Sequence, residues 1–276
     1  MFHPRGPRAT LPDGAEIAYD VHDFTPPWTA AEPVVLVHGF SKNRKFWYGW
    51  IPELSARYRV INLDQRGHGE SSPVARGFKM ALRPFSNDLA AVLDALEFDS
   101  AHFIMAEFSA AVAIDFAAAF APRIRSLVLP GFAYNYRAST VDRSEWIDLA
   151  EQQGAAAWAR ATNQHRLPVD ADPAMREWYI AEQSKVPGWF LGALFRFNRD
   201  LDLTAELPKI TPPTLLIAGG DARQGTVETV RKGAGMIPRC RLAVLDGLPY
   251  NVMSAAPARC VAETLRFLDD VRGGRI

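Results

Sequence analysis

Residues 100–117 read SAHFIMAEFSAAVAIDFA, and this stretch decides the fold of the chain. The run from His102 to Ala106 is typical of a buried strand, because it is short and dominated by apolar residues. The small and apolar residues from Ser109 onward predict a buried helix. Only two residues separate the two patterns, so the chain has to turn sharply between them. The stretch therefore predicts a strand, a tight turn and a helix.

A turn of this kind is typical of a nucleophile elbow, which presents one side chain above a sheet. The usual pattern is G-x-S-x-G, because small neighbours let the strained turn close. The five corresponding positions here are Met105, Ala106, Glu107, Phe108 and Ser109. Glu107 therefore occupies the nucleophile position, and we expect it to have a positive φ. Placing Ser109 there would shift the register by two residues and leave Glu107 where a small residue is needed.

Composition limits the classes of protein to which the chain can belong. Its 276 residues suffice for one large domain, or for one domain with an insertion, and 48% of them are hydrophobic, enough for a real core. The 31 basic and 31 acidic residues cancel, which gives no argument for nucleic acid or an anionic membrane as partner. The two cysteines, Cys240 and Cys260, lack metal or redox spacing and predict no disulfide.

Targeting and cofactor signals are also missing from the sequence. Residues 1–7 lack the apolar run of a signal peptide, and no stretch is long and apolar enough to span a bilayer. The chain shows no metal or nucleotide motif. We therefore expect a soluble, cytoplasmic protein without a cofactor, and the oligomeric state stays open.

Strand and helix patterns alternate around the central stretch. Buried strands are predicted at 33–37, 59–63 and 124–129, and helices at 46–57 and 85–96. This rhythm predicts an α/β fold with a mostly parallel sheet. In such sheets the functional crevice lies at the carboxyl ends of the strands, where the predicted turn also lies.

Five motifs in this order carry a specific resemblance. They are VHGF at 37–40, DQRGHGES at 64–71, FAPRI at 120–124, PTLLIAGGD at 213–221 and DGLPYNV at 246–252. The chain resembles an α/β-hydrolase of the esterase, epoxide-hydrolase and C–C-hydrolase group, over roughly residues 10–133 and 205–270. The resemblance implies an α/β-hydrolase core at 1–133 and 205–276, a helical cap at 134–204, and a small-molecule substrate.

The residues of the usual Ser-His-Asp triad are not all present. Besides the glutamate at the elbow, no histidine follows His165, and Tyr250 stands where the family has its catalytic histidine. The family's acid falls at Asp221 or Ala222, and the count from Gly219 favours Ala222. Tyrosine has a pKa near 10, so Tyr250 is suited to donate a hydrogen bond and poorly suited to act as a base.

Other implied site residues have structural alternatives. The resemblance implies oxyanion donors at the backbone N–H groups of Phe40 and Phe108, which do not depend on side-chain identity. The pocket candidates are His38 in the core and, in the cap, Trp158, His165, Trp178 and Trp189. Packing of the cap onto the core is the commoner role for such aromatic residues, and a structural role is the commoner one for His38.

Three basic residues, Lys42, Arg44 and Lys45, follow the VHGF motif. They could attract an anionic substrate to the mouth of the site. A solvated surface run is the more ordinary interpretation of such a cluster, and it is the one that we expect.

Two functions remain open at this point. In the first, the protein is an enzyme in which Glu107 abstracts a proton or attacks an electrophilic carbon, and Tyr250 acts as proton donor. Acid–base chemistry suits this pair better, because a glutamyl ester would need a further base to activate water. In the second, the protein is an inactive hydrolase-fold binding protein. Both hypotheses place Glu107 and Tyr250 in one cavity.

Overall fold

The computed structural model describes residues 6–139, 142–168 and 170–276, and a single sheet forms the centre of this part of the chain. Its strands are β1 (Arg8–Thr10), β2 (Glu16–His22), β3 (Pro33–Val37), β4 (Arg59–Leu63), β5 (Ala101–Met105), β6 (Ile124–Pro130), β7 (Thr214–Gly219) and β8 (Cys240–Leu245). Their order across the sheet is β1-β2-β4-β3-β5-β6-β7-β8. β1 and β2 pair antiparallel at one edge, whereas β3 to β8 all run parallel.

The helices cover both faces of this sheet. They are α1 (Ile51–Ser55), α2 (Leu82–Ala95), α3 (Ser109–Phe120), α4 (Ser144–Gln153), α5 (Ala155–Thr162), α6 (Pro173–Gln183), α7 (Gly188–Arg199), α8 (Val227–Ala234), α9 (Val252–Ala255) and α10 (Pro257–Arg272). Short 3-10 helices lie at Arg44–Trp47, Ala121–Arg123, Asn163–His165 and Thr204–Lys209.

Alternate residues of each central strand pack into two different cores. Val35 of β3 and Phe103 of β5 belong to the core under α2 and α3, whereas Leu36 and Ile104 belong to the core under α1 and α10. This follows from the two-residue period of a strand, which points neighbouring side chains to opposite faces. All five residues of β3 and of β5 are buried, as the continuous apolar runs predicted. The predicted α/β fold is confirmed.

Helices α4 to α7 lie between β6 and β7 in the chain and pack on one another beside the carboxyl ends of the strands. α4 packs against both α5 and α7. These helices lie within residues 134–204, and the aromatic residues of this part pack in two different places. Trp158 and Phe195 meet inside the segment with ring centroids 5.1 Å apart. Trp178 instead packs against Phe46 of the core at 4.9 Å.

The described helices also bear on membrane association. None of those in residues 6–139, 142–168 and 170–276 combines the length and the apolar character needed to cross a bilayer.

Three histidines are buried in the core, and burial favours the neutral form of their imidazole rings. Burial lowers the pKa of His38 and of His102 from 6.5 to about 4, and that of His68 to about 3. Between pH 6.5 and 4 the unfolded chain therefore binds protons that the folded protein does not bind. The free energy of unfolding falls as the pH is lowered through this window, because the unfolded state is the one that gains protons.

We expect each of these histidines to contribute a slope of up to about 1.4 kcal/mol per pH unit. Urea unfolding at intervals between pH 7 and pH 4.5 measures the slope. His102 lies near the start of β5, at the end of the strand away from the elbow, and contacts Tyr58 and Ser126. His102→Gln should reduce the slope by up to the contribution of one proton, about 1.4 kcal/mol per pH unit. A free energy of unfolding that stays level from pH 6.5 to 4.5 would contradict this account.

Candidate active site at the strand-to-helix turn

Glu107 lies on the turn between β5 and α3 with φ +56°. Its backbone N–H donates to the Pro130 carbonyl of the next strand at 3.0 Å, and its own carbonyl accepts from Ala110 in the first turn of α3. These bonds hold a conformation that costs a residue other than glycine about 1–3 kcal/mol. The positive φ expected from the sequence is confirmed.

Space for the turn comes from glycines outside the five-residue motif. A Cβ atom at Gly39 would lie 2.9 Å from Glu107 Cβ, and one at Gly131 would lie 3.2 Å from Glu107 Cγ. Both distances are too short or very tight for a real side chain. The glutamate therefore fits because the loops after β3 and β6 are bare at these points, although Met105 and Ser109 replace the usual glycines.

Lys42 forms a buried ion pair with Glu107. Its Nζ donates to Glu107 Oε1, and the two residues are only 1% and 6% exposed. The ammonium also lies 5.4 Å from the ring centroids of both Phe46 and Tyr179, at cation–π distance. Burial by itself lowers the pKa of Lys42, but the Glu107 carboxylate and the Tyr179 hydroxyl together outweigh it and raise that pKa above its usual value.

The loop after β3 explains why Lys42 points inward. Ser41 has φ +50°, and the Asn43 side chain caps the following 3-10 helix by accepting from Lys45 N–H. Arg44 is drawn into the core by Asp64, which accepts from both its backbone N–H and its guanidinium. The expected solvated run is therefore wrong for Lys42 and Arg44, whose charges are paired inside the protein, and right for Lys45, which is exposed.

Tyr250 lies beside Glu107 across Gly131. A Cβ atom at Gly131 would lie within 4 Å of both Glu107 Cγ and the Tyr250 ring. The Tyr250 hydroxyl is near Gln224 and the Tyr136 hydroxyl but makes no hydrogen bond to a described residue. Burial, with smaller contributions from Tyr136 and Glu107, raises the pKa of Tyr250 far above its usual value. The hydroxyl therefore stays protonated and can donate a hydrogen bond to a ligand.

Phe40 and Phe108 frame the glutamate from the loops after β3 and β5. Their rings stack with centroids 4.1 Å apart. Within the described part of the chain, neither backbone N–H donates a hydrogen bond. Two amide donors are thus unused next to a buried carboxylate, and both residues border the same cavity as Glu107.

This cavity has a volume of about 580 Å³, which suits a drug-sized molecule. Glu107 and Tyr250 both line it, as expected. Its apolar walls are the rings of Phe40, Phe108, Trp146, Trp158 and Phe195. Its other polar lining residues include Arg143, Arg166, Gln183, Asn198, Arg223 and Gln224. Core and helical segment both contribute, so the cavity lies between them.

The structure separates the predicted pocket residues into two groups. Trp158 lines the cavity, whereas Trp178 and Trp189 do not and pack on other residues instead. His38 is also outside the lining. It is fully buried, its Nε2 accepts from Gln65 N–H at 3.0 Å, and its Nδ1 lies 2.9 Å from the Gly39 carbonyl. Both ring nitrogens are therefore occupied by backbone groups, which is a structural role.

Two further predictions concern the acid and His165. Asp221 is exposed and does not line the cavity, because the turn after β7 points it to solvent, while Arg223 and Gln224 reach the lining. The expectation that Asp221 takes part in the site is not supported by its position. The side chain of His165 lies outside the described residues.

Sequence reasoning missed two features of the site. Lys42 was expected on the surface, and the signal that could have found it is its place two residues after the predicted oxyanion loop, opposite an acidic elbow. Arg166 belongs to no motif in the sequence. It reaches the cavity from the turn after a 3-10 helix. Among the described residues, no group of three or more His, Cys, Asp or Glu side chains could hold a metal ion.

Comparison with known proteins finds relatives that include a haloperoxidase and a hydrolase. The family model described as the α/β hydrolase fold matches residues 32–157. The non-heme chloroperoxidase CPO-A1 of Kitasatospora aureofaciens is 27% identical over 270 residues, which cover 89% of this chain and 92% of that protein. The 2-hydroxy-6-oxo-2,4-heptadienoate hydrolase of Pseudomonas putida is 38% identical over 127 residues, which cover 45% of this chain and 44% of that protein.

The solved structures agree on the fold. The enol-lactonase from Burkholderia xenovorans LB400 superposes with a TM-score of 0.82 at 21% identity, covering 95% of this chain and 100% of that one. The two chains thus share their fold over nearly their whole lengths. The chain therefore has the α/β-hydrolase fold.

Proposed function

We propose that the protein is a small-molecule enzyme in which Glu107 acts as a general base and Tyr250 as a hydrogen-bond donor. The observation that carries this proposal is the buried Glu107 carboxylate on the elbow, paired with Lys42 and facing the cavity. Lys42 supplies a positive charge at hydrogen-bond distance from one carboxylate oxygen, and the carboxyl group lies in the cavity where a substrate would bind.

One carboxylate oxygen is available for chemistry. Oε1 accepts from Lys42, whereas Oε2 accepts no hydrogen bond from a described residue. We propose that Oε2 takes a proton from a carbon next to a carbonyl group of the substrate. The electron pair of the broken C–H bond forms a C=C bond, and the π pair of the carbonyl group moves onto its oxygen. The unused N–H groups of Phe40 and Phe108 would stabilise the enolate oxygen, with the Tyr250 hydroxyl as a third donor. Return of the proton to another atom completes the turnover.

A covalent route fits the site less well. An ester formed on Glu107 would need a base to activate water. No described histidine side chain lines the cavity, and Tyr250 holds its proton because burial raises its pKa. Proton transfer without a covalent intermediate needs only the groups that are present.

The helical segment would serve as a cap over this chemistry. We propose a core at 1–133 and 205–276 and a cap at 134–204, whose Trp146, Trp158 and Phe195 form the wall facing the elbow. Such a wall excludes water from the base and strengthens its electrostatic interactions.

Solvent isotope exchange tests the proton transfer. Ketones, enol esters and lactones that stabilise the protein in a thermal-shift screen are incubated with it in D2O and followed by NMR. We expect enzyme-dependent deuterium incorporation at the carbon next to the carbonyl group, and its loss in Glu107→Gln. Ligands that bind tightly and come back unlabelled and unchanged would favour the inactive binding protein instead.

Ordinary esterase activity is expected to be low. Without a serine and a histidine in the site, turnover of p-nitrophenyl acetate and butyrate should lie about 10³-fold or more below that of a triad esterase. Ser109 is the internal control, because its hydroxyl is buried and donates to the His38 carbonyl rather than facing the cavity. Rapid ester hydrolysis that disappears in Ser109→Ala would show that the register of the elbow is wrong.

A further inference from the structure

The charges around the cavity do not balance. Three arginines line it, Arg143, Arg166 and Arg223, against one acidic residue, Glu107. Glu107 is already paired with Lys42, which lies behind it and outside the lining. The cavity therefore keeps a surplus of positive charge, and low-dielectric walls concentrate such a field.

Arg166 holds the least compensated of these charges. One terminal nitrogen, Nη2, donates to the Ala159 carbonyl at 3.0 Å, and the guanidinium lies 4.1 Å from the Trp158 ring centroid. Nε and Nη1 are buried and have no hydrogen-bond partner among the described residues. Burial lowers the pKa of Arg166 to about 10, so the group is still charged at neutral pH.

The other two arginines are placed differently. Arg143 donates to the Gln224 side chain and lies 5.8 Å from the Tyr136 ring centroid, so it is already engaged. Arg223 is exposed at the rim, where solvent screens its charge. A buried guanidinium with two unused N–H groups is costly to the folded protein, and an anionic ligand would remove that cost.

The residues around Arg166 indicate the chemical character of the rest of the ligand. Trp158 stacks on the guanidinium, and the Trp146 and Phe195 rings extend the same wall at centroid distances of 6.3 and 5.1 Å from Trp158. Aromatic walls of this kind bind an apolar or aromatic body. Arginine is suited to a planar carboxylate, which can accept two parallel N–H bonds.

We propose that the cavity takes a small carboxylate with an apolar body, and that Arg166 binds the carboxylate group. This inference deepens the proposed function by naming the class of its substrate. It rests on that function only in treating the bound carboxylate as a substrate that the protein converts. The binding itself can be tested without any reaction.

The test compares 2-naphthoate with the neutral 2-naphthamide by isothermal titration calorimetry. We expect the native protein to bind 2-naphthoate at least about 10-fold more tightly, since only the carboxylate can form charge-assisted hydrogen bonds with Arg166. Arg166→Met should abolish the preference and Arg166→Lys should restore part of it. Arg160→Gln, which removes an exposed arginine paired with Glu177, is the matched control and should keep it.

Thermal unfolding without ligand adds a second readout. If Arg166 serves to bind a ligand and not to stabilise the fold, Arg166→Met should leave the Tm of the free protein unchanged or raise it. A fall of several degrees in both Arg166→Met and Arg166→Lys would mark Arg166 as a structural residue and overturn the proposal. Equal affinity of the native protein for naphthoate and naphthamide would overturn it too, and tighter binding of 2-naphthyl phosphate would make the carboxylate assignment wrong.

The binding test and the catalytic proposal can fail separately. Glu107→Gln removes the base but not Arg166, so this variant should still prefer 2-naphthoate over 2-naphthamide. A preserved preference in a protein that exchanges no proton would support the carboxylate site and reject the base.

Discussion

The Glu107→Gln variant is expected to lose turnover by a factor of about 10² or more while its affinity for the ligand changes by only a few fold. Glutamine keeps the shape of the side chain, and its carbonyl oxygen can still accept from Lys42, so the elbow should remain folded. What disappears is the group that accepts the proton. Activity should therefore fall in kcat with KM nearly constant, as measured by steady-state kinetics on the substrate found by isotope exchange.

The control for this variant lies on α3, the helix that follows the elbow. Asp115 of α3 faces outward and pairs with Arg83, so Asp115→Asn removes one negative charge without touching the cavity. Its turnover should equal that of the native protein. Product formed equally fast by Glu107→Gln would reject Glu107 as the base.

The Lys42→Met variant is expected to show the largest loss of stability. Methionine fills much of the volume of lysine but leaves the Glu107 carboxylate buried without a partner. Breaking a buried pair by removing one member typically costs about 3–5 kcal/mol. Urea unfolding at pH 7 measures the free energy of unfolding. Lys45→Met is the matched control, because Lys45 is exposed and its 3.7 Å contact with Glu182 contributes about 1 kcal/mol or less.

A double-mutant cycle shows whether the pair is the cause. Lys42→Met combined with Glu107→Gln removes both charges, and it should recover most of the stability lost in Lys42→Met alone. Losses that simply add in the double variant would mean that Lys42 stabilises the fold through its contacts with Phe46 and Tyr179 rather than through Glu107.

The fold could be predicted from local patterns because every pattern agreed with the others. The apolar runs predicted as strands at 33–37 and 102–106 correspond to strands at Pro33–Val37 and Ala101–Met105 that are buried on both faces. The strand-to-helix turn lies at the two residues that separate the predicted strand from the predicted helix. Such features depend on neighbours in the chain and on burial, which sequence periodicity reports directly. The position of Glu107 on the turn, with its positive φ, followed from the same local count.

The composition of the candidate site was only partly predictable. Tyr250 was placed correctly by its motif, since the loop after β8 returns to the elbow in this architecture. Asp221 and His38 were assigned to the site by position in a motif, but a motif does not say where a side chain points. Asp221 is exposed to solvent. Both ring nitrogens of His38 contact backbone groups, those of Gln65 and Gly39.

What the sequence by itself determined was the order of strands and helices, the glutamate on the elbow and the absence of a late histidine. Tertiary structure alone decided the electrostatics of the site. Lys42 meets Glu107 across 65 residues, and Arg166 reaches the cavity from the helical insertion. A charged residue in a loop looks the same in sequence whether it faces water or a buried carboxylate. Only the packing of distant segments sets its burial and its partner, and these two quantities determine its chemistry.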